Sequence, residues 1–219
     1  TLGVLDSHQR SVVIVPGGLD TGTPGNPQRI GESVFVLDAL TGQLVQEFHR
    51  AGGGSSNVTP PGQWKHAFTG TPTGYNSLPG RIMTKAFVGD AEGQMWRLNL
   101  SDTDPANWEA VRFFDLDTVV PGHTSPIYHA PTLAIDDTWG GMIVTFSSGG
   151  ARDLTNVTAQ NAIAAVRERI NYDTGTPVLD PELLWSQAFD VGEVPTSAPL
   201  TYNSVTWWST YRNDASDPC

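Results

Sequence analysis

The sequence is short of lysine, cysteine and charge. Only two lysines, Lys65 and Lys85, and one cysteine, Cys219, occur in 219 residues, and charged side chains make up 16% of the chain. Acidic residues outnumber basic ones by 23 to 12, a net charge of −11 at neutral pH. A field of that sign repels nucleic-acid phosphates and anionic lipid heads, so nucleic acid is not an expected partner. No apolar run approaches the roughly 18–20 residues that span a bilayer, so no membrane insertion is expected, and no secretory leader pattern opens the chain. Catalytic signatures are missing too. There is no Gly-x-Ser-x-Gly elbow, and the glycine-rich stretch Ala51–Ser55 lacks the Lys-Ser/Thr of a phosphate loop. The histidines His8, His49, His66, His123 and His129 show no i,i+2 or i,i+4 metal spacing. Cys219 follows Asn213-Asp214-Ala215-Ser216-Asp217-Pro218, with no base beside it to make a nucleophile. Its two readings are a disulfide to a cysteine outside this chain and a free thiol.

Turn formers are plentiful, with 23 glycines and 16 prolines. Between them the apolar pattern has period two, which marks short half-buried strands. Strands are predicted at Val12–Val15, Ser33–Leu37, Leu44–Phe48, Lys85–Val88, Gln94–Leu98, Val111–Phe114, Ala130–Ile135, Met142–Ser147, Ala162–Glu168, Leu183–Ala188, Ala198–Tyr202 and Val205–Tyr211. Asp104–Trp108 alone predicts a helical turn, capped by Asp104 with Pro105 in first position. Ala159–Ile170 has helix propensity, but the turn at Asn171–Gly175 favours a strand there. The class is all-β, and sandwich, barrel and propeller are its usual ways of protecting sheet edges.

A repeat selects the propeller. Val34-Phe35-Val36-Leu37-Asp38-Ala39-Leu40-Thr41-Gly42, Phe87-Val88-Gly89-Asp90-Ala91-Glu92-Gly93-Gln94 and Ile170-Asn171-Tyr172-Asp173-Thr174-Gly175 share strand, aspartate, small residues and glycine. Aspartate accepts local backbone hydrogen bonds and glycine supplies a positive φ, so the pair closes a tight hairpin. A second element, at His129-Ala130-Pro131-Thr132-Leu133 and Thr196-Ser197-Ala198-Pro199-Leu200, sets proline before an apolar strand. At about 40–50 residues per blade the chain makes four to five blades, closed on themselves or forming an arc of a larger ring.

Two of these hairpins, Ser33–Gly42 and Phe87-Val88-Gly89-Asp90-Ala91-Glu92-Gly93-Gln94-Met95-Trp96-Arg97-Leu98, resemble the C-terminal propeller of PilY-type proteins, the type IV pilus tip adhesin and assembly factors. Ser125–Pro131, Phe146-Ser147-Ser148-Gly149-Gly150 and the ending Trp208–Tyr211 with Asp217-Pro218-Cys219 are similar to further family segments. The serines after Phe146 depart from the family's usual Gly-Thr. The resemblance runs from Ser11 to Cys219. It implies that 1–219 is part of one propeller domain, the later blades of a ring of about seven. It also implies that Cys219 pairs with a cysteine outside this chain. The implied function is non-enzymatic: adhesion to a host or abiotic surface and support of pilus assembly and retraction. Partners would be minor pilins or the pilus tip complex, at the cell surface, the pilus tip or the outer membrane and periplasm. A general propeller scaffold for cell-envelope assembly is the alternative, and a quinone-dependent dehydrogenase-like propeller the second.

Family members often bind calcium in the propeller, through aspartates at alternate positions around a sharp glycine turn. The nearest carboxylates here are Asp90 and Glu92, then Asp102 and Asp104, and neither pair reproduces Asp-x-Asp-x-Asp-Gly. Asp90 and Glu92 are therefore read first as a hydrogen-bonded turn and second as a calcium site. Asp136-Asp137 is read as an exposed hairpin tip. Trp96 is read as a residue docking blade on blade. The interval 52–80 is long for an inter-strand connection, and with Trp64 and Tyr75 it is read equally as a candidate binding surface and as a solvated insertion between blades.

Overall fold

The computed structural model describes residues 2–3, 11–19, 31–49, 58–59, 64–75, 83–136, 141–150, 154, 157–173, 175 and 177–212. The period-two segments pair with their neighbours in sequence to make successive antiparallel sheets. The first contains β1 (Leu2–Gly3), β2 (Val12–Pro16), β3 (Ser33–Asp38) and β4 (Leu44–His49), in that order. In the second, β6 (Thr73–Tyr75), β7 (Lys85–Gly89), β8 (Gln94–Asn99) and β9 (Glu109–Asp115) form a meander, and β5 (Val58–Thr59) adds parallel to β9. The third is β10 (Thr132–Ile135), β11 (Met142–Ser147), β12 (Ala162–Arg167) and β15 (Glu182–Ala188). A small hairpin of β13 (Ile170–Asn171) and β14 (Val178–Leu179) leaves it between the last two strands. Last come β16 (Glu193–Pro195) paired with β19 (Thr210–Arg212), and β17 (Leu200–Tyr202) paired with β18 (Val205–Trp207). Sequential four-stranded meanders are the blades of a propeller, and the described residues form such meanders in an all-β fold.

Why the middle sheet reads so apolar follows from its position. Ala86 and Val88 of β7 pack with Val12, Ile14, Val34, Val36 and Phe48 of the first sheet. Phe87, on the opposite face, packs with Val144, Phe146, Ala164 and Val166 of the third. In β8 ordinary alternation points Met95 toward the third sheet and Trp96 toward the first, and the bulge opposite them falls on β9, where Phe113 is the extra residue between the partners Phe114 and Arg112. Both faces of the second sheet are thus buried, so both alternate sets carry apolar side chains. The strand prediction at Ala162–Glu168 holds over β12 against its helix propensity, because Ala162, Ala164 and Val166 fill the core between the second and third sheets.

Two of the three Asp–Gly hairpins have the geometry expected of them. Asp38 Oδ1 accepts from the N–H groups of Leu40 and Thr41, both at 2.9 Å, and Gly42 has a φ of +71°. The third differs, since Asn171 Oδ1 accepts from Asp173 N at 2.8 Å, so the asparagine and not Asp173 holds that turn. Between β17 and β18, Asn203 and Ser204 both have positive φ, the signature of a two-residue type I′ turn. Asp104 caps a 3-10 turn at Pro105–Asn107, as the sequence predicts. The predicted strand Val205–Tyr211 splits at Trp208-Ser209, whose flanks pair with different partners. Asp136 is not an exposed tip: it is buried, with Oδ2 2.6 Å from Arg167 Nε.

Along the edge where the sheets converge, the backbones crowd. Gly70 N donates to Gly89 O at 3.0 Å, and Ile127 N donates to Asp90 O at 2.9 Å. A Cβ at Gly89 would lie 2.4 Å from Ile127 Cβ. Gly89→Ala is therefore expected to cost about 1–3 kcal/mol by overpacking, read as a lower urea midpoint at unchanged m-value.

Candidate functional site

The sharpest sequence motif folds into a buried polar hairpin. Asp90, at the end of β7, is 1% exposed. Its Oδ1 accepts from Glu92 N at 3.0 Å and Gln94 N at 2.9 Å, and its Oδ2 accepts from the indole N–H of Trp96 at 3.0 Å. Gly93, with a φ of +80°, closes the turn. Asp90 thereby fixes a tight hairpin and anchors the tryptophan that packs the first sheet on the second. Trp96 is the blade-docking residue that the sequence predicts.

Burial pushes the Asp90 carboxyl up to about 7, while the N–H donors of Trp96, Gln94 and Glu92 pull it back down. The folded state then holds a proton that the unfolded chain has released above about pH 4. The contribution of Asp90 is fullest below that pH and is lost as pH rises through about 7. Thermal melts across that window are expected to show a fall for the wild type that Asp90→Asn, which cannot ionise, flattens. An unchanged slope in the variant contradicts the assignment.

Asp90 and Glu92 are engaged in this hairpin and not gathered as ligands. Asp90 accepts only from N–H groups, and Glu92 Oε1 lies 3.7 Å from His66 Nδ1. Burial holds His66 below its usual range and raises Glu92 above its own. Among the described residues, no group of three or more His, Cys, Asp or Glu side chains is placed to hold a metal ion. Asp102 and Asp104 accept from the backbone N–H groups of Asp104 and Ala106, at 2.8 and 3.0 Å, which makes them turn caps.

Trp64 is not a surface residue. It is 1% exposed, its indole N–H donates to Glu32 O at 2.7 Å, and its ring centroid lies 4.1 Å from Phe68 and 4.8 Å from Trp96. The interval 52–80, in its described part, supplies β5, β6 and these core aromatics, so its apolar side chains belong to the fold. Tyr75 ends β6 half-buried, packed against the core shared by the second and third sheets. The two residues do not form one contact patch. Cys219 lies outside the described residues.

Sequence reasoning missed Glu168. It is buried immediately after β12, with Oε2 2.5 Å from Lys85 Nζ and Oε1 2.5 Å from Arg97 Nε. One carboxylate thus ties the second sheet to the third. The available signal was Arg167-Glu168-Arg169, a charged run ending a strand whose alternate residues must face opposite sides. Reasoning also missed a cavity of about 590 Å³ whose lining includes His123, Tyr128, Gly149 and Asn161. A further surface is apolar: Leu200, Tyr202, Val205 and Trp207 of the last hairpin are exposed, beside a stacked pair of Trp185 and Trp208 at 6.2 Å.

Sheets stacked face to face, with glycines where they converge and a buried carboxylate tying two of them, define the blades of a β-propeller. Comparison with known proteins points to one kind. The chain is 23% identical over 194 residues to a protein of Xylella fastidiosa strain Temecula1 described as a type IV pilus biogenesis factor PilY1 homolog; the match covers 80% of this chain and 13% of that protein. In fold it is similar to the crystal structure of the Pseudomonas aeruginosa PilY1 C-terminal domain, with a TM-score of 0.67 and 14% identity, over 97% of this chain and 55% of that one. The PilY-type resemblance read from the hairpins is borne out. The chain spans a small part of the curated relative and about half of the solved domain. No family model matches it.

Proposed function

We propose that this chain forms part of a non-enzymatic, PilY-type factor that works with type IV pili, supporting their assembly and retraction and contributing adhesion at the tip. The observation that carries the reading is the sequence match, spread over 80% of the chain, to a protein described as a pilus biogenesis factor. The shared fold supports it from an independent direction. Residues 1–219 are then part of one larger propeller domain. The exposed Leu200, Tyr202, Val205 and Trp207 support that reading, because blades bury such faces against their neighbours. Minor pilins or the tip complex are the partners, and a host or abiotic surface is what the tip contacts.

Co-purification tests the proposal. Pili are sheared from cells, sedimented and probed with serum against this chain, alongside a strain lacking the pilus fibre. The antigen is expected in the sheared fraction only when fibres are present. Antigen confined to the envelope in both strains overturns the pilus reading and favours a general envelope scaffold.

A further inference from the structure

We propose that the outer edge of the third sheet, strand β15, takes an added β-strand from a partner polypeptide: an extended segment, uncharged along its middle and basic at both ends. A propeller normally leaves only short, protected edges. The first two sheets follow that rule. β5 pairs with β9 at the outer edge of the second, and the 3-10 turn at Pro105–Asn107 lies beside β4 at the edge of the first. Among the described residues nothing pairs with the free side of β15, although it is seven residues long. The last strand of a blade lies on the circumference of the ring, and blades stack face to face. Further blades therefore leave this side open.

The backbone of β15 is set out for pairing. Phe189 N donates to Asn161 O at 2.8 Å, so by the two-residue alternation of an antiparallel ladder Gln187 and Trp185 also bond inward to β12. Ser186 and Ala188 then turn their N–H and C=O groups away from the sheet. The bulge at Leu184 stands before this stretch and leaves Trp185–Ala188 regular. Natural edges are usually guarded by a charge or a proline. β9 carries Arg112 and β4 carries Glu47, whereas Leu183-Leu184-Trp185-Ser186-Gln187-Ala188 has neither guard. Trp185 and Gln187 are exposed and give an added strand side chains to pack against.

Charge selects the occupant. Among the described residues, Asp136, Asp180 and Glu182 outnumber Arg167 and Arg169 at the start of β15. At its end Asp190 and Glu193 outnumber Arg212, and the sequence after Arg212 adds Asp214 and Asp217 without a cation. Each end is thus net negative around an uncharged middle. A second copy of this chain, paired antiparallel, would set the Glu182 end against the Asp190 end twice, with like charge facing like. A segment with basic ends meets opposite charge at both.

The inference stands apart from pilus association, and each can fail without the other. Its test is calorimetric titration of the purified chain with the synthetic peptide Arg-Val-Thr-Val-Thr-Val-Arg. Binding is expected with a Kd below about 1 mM, weakened about tenfold or more when alternate peptide nitrogens are methylated. Glutamate in place of both arginines is expected to weaken it about threefold or more. Amide exchange at Ser186 and Ala188 should slow when the peptide is bound. Ser186→Pro removes an outward N–H and spares the inward ladder, because proline is tolerated where an edge N–H faces solvent, and it is expected to abolish binding. If that variant fails to fold, the methylated peptide carries the test on the unaltered chain. Absence of binding, equal binding of the methylated or glutamate-ended peptide, or binding unchanged in Ser186→Pro overturns the proposal. So does a dimer, seen by sedimentation equilibrium, that Ser186→Pro disperses, since the edge then belongs to a second copy.

Discussion

Glu168→Ala is expected to destabilise the chain by about 3–5 kcal/mol, the usual cost of removing one partner from a buried ion pair. The side chain is 4% exposed and holds two cations from the neighbouring sheet, Lys85 and Arg97, whose side chains are 27% and 11% exposed. Without the carboxylate, two positive charges remain at the seam with their partner gone. Glu168→Gln is expected to fall between, because an amide oxygen still accepts while the charge is lost. The exposed pair of Arg169 and Asp180 is the control: at 2.9 Å its geometry is good, yet water screens it and Arg169→Ala should cost less than about 1 kcal/mol. Urea denaturation measures all three. A Glu168→Ala cost no larger than that of Arg169→Ala contradicts the claim that this residue holds the sheets together.

Trp64→Ala is expected to cost about 3–5 kcal/mol, as truncation of a large buried aromatic does. The ring stands between the first and second sheets, against Phe48, Phe68 and Trp96, and its N–H occupies the Glu32 carbonyl. Truncation opens a cavity between two blades and strips Trp96 of an edge contact. Near-UV circular dichroism should lose intensity along with stability. A near-neutral substitution would mean that Trp64 faces solvent, as a contact surface requires.

Much of the fold was legible because hairpin chemistry is local. Asp38 and Asp90, each followed by a positive-φ glycine, announce their turns in the sequence, and period-two patterning locates the strands around them. The short strands β1, β5, β6, β14 and β16 were not legible, since no period-two run announces them and they owe their pairing to neighbours. Trp64 shows the limit most clearly. Within its glycine- and proline-rich surroundings it resembles a loop aromatic, and only the approach of the first two sheets puts it in the core. Glu168 was illegible for a related reason: a strand's end does not disclose which sheet faces it.

The central claim is that this chain belongs to a factor carried by type IV pili, and electron microscopy of native fibres tests it most directly. Gold-labelled antibody against the chain is applied to sheared, unfixed pili, with pili from a deletion strain as the blank. The account predicts gold concentrated at fibre ends and absent from the deletion strain. Bare fibres, with the antigen retained in the envelope, would contradict it.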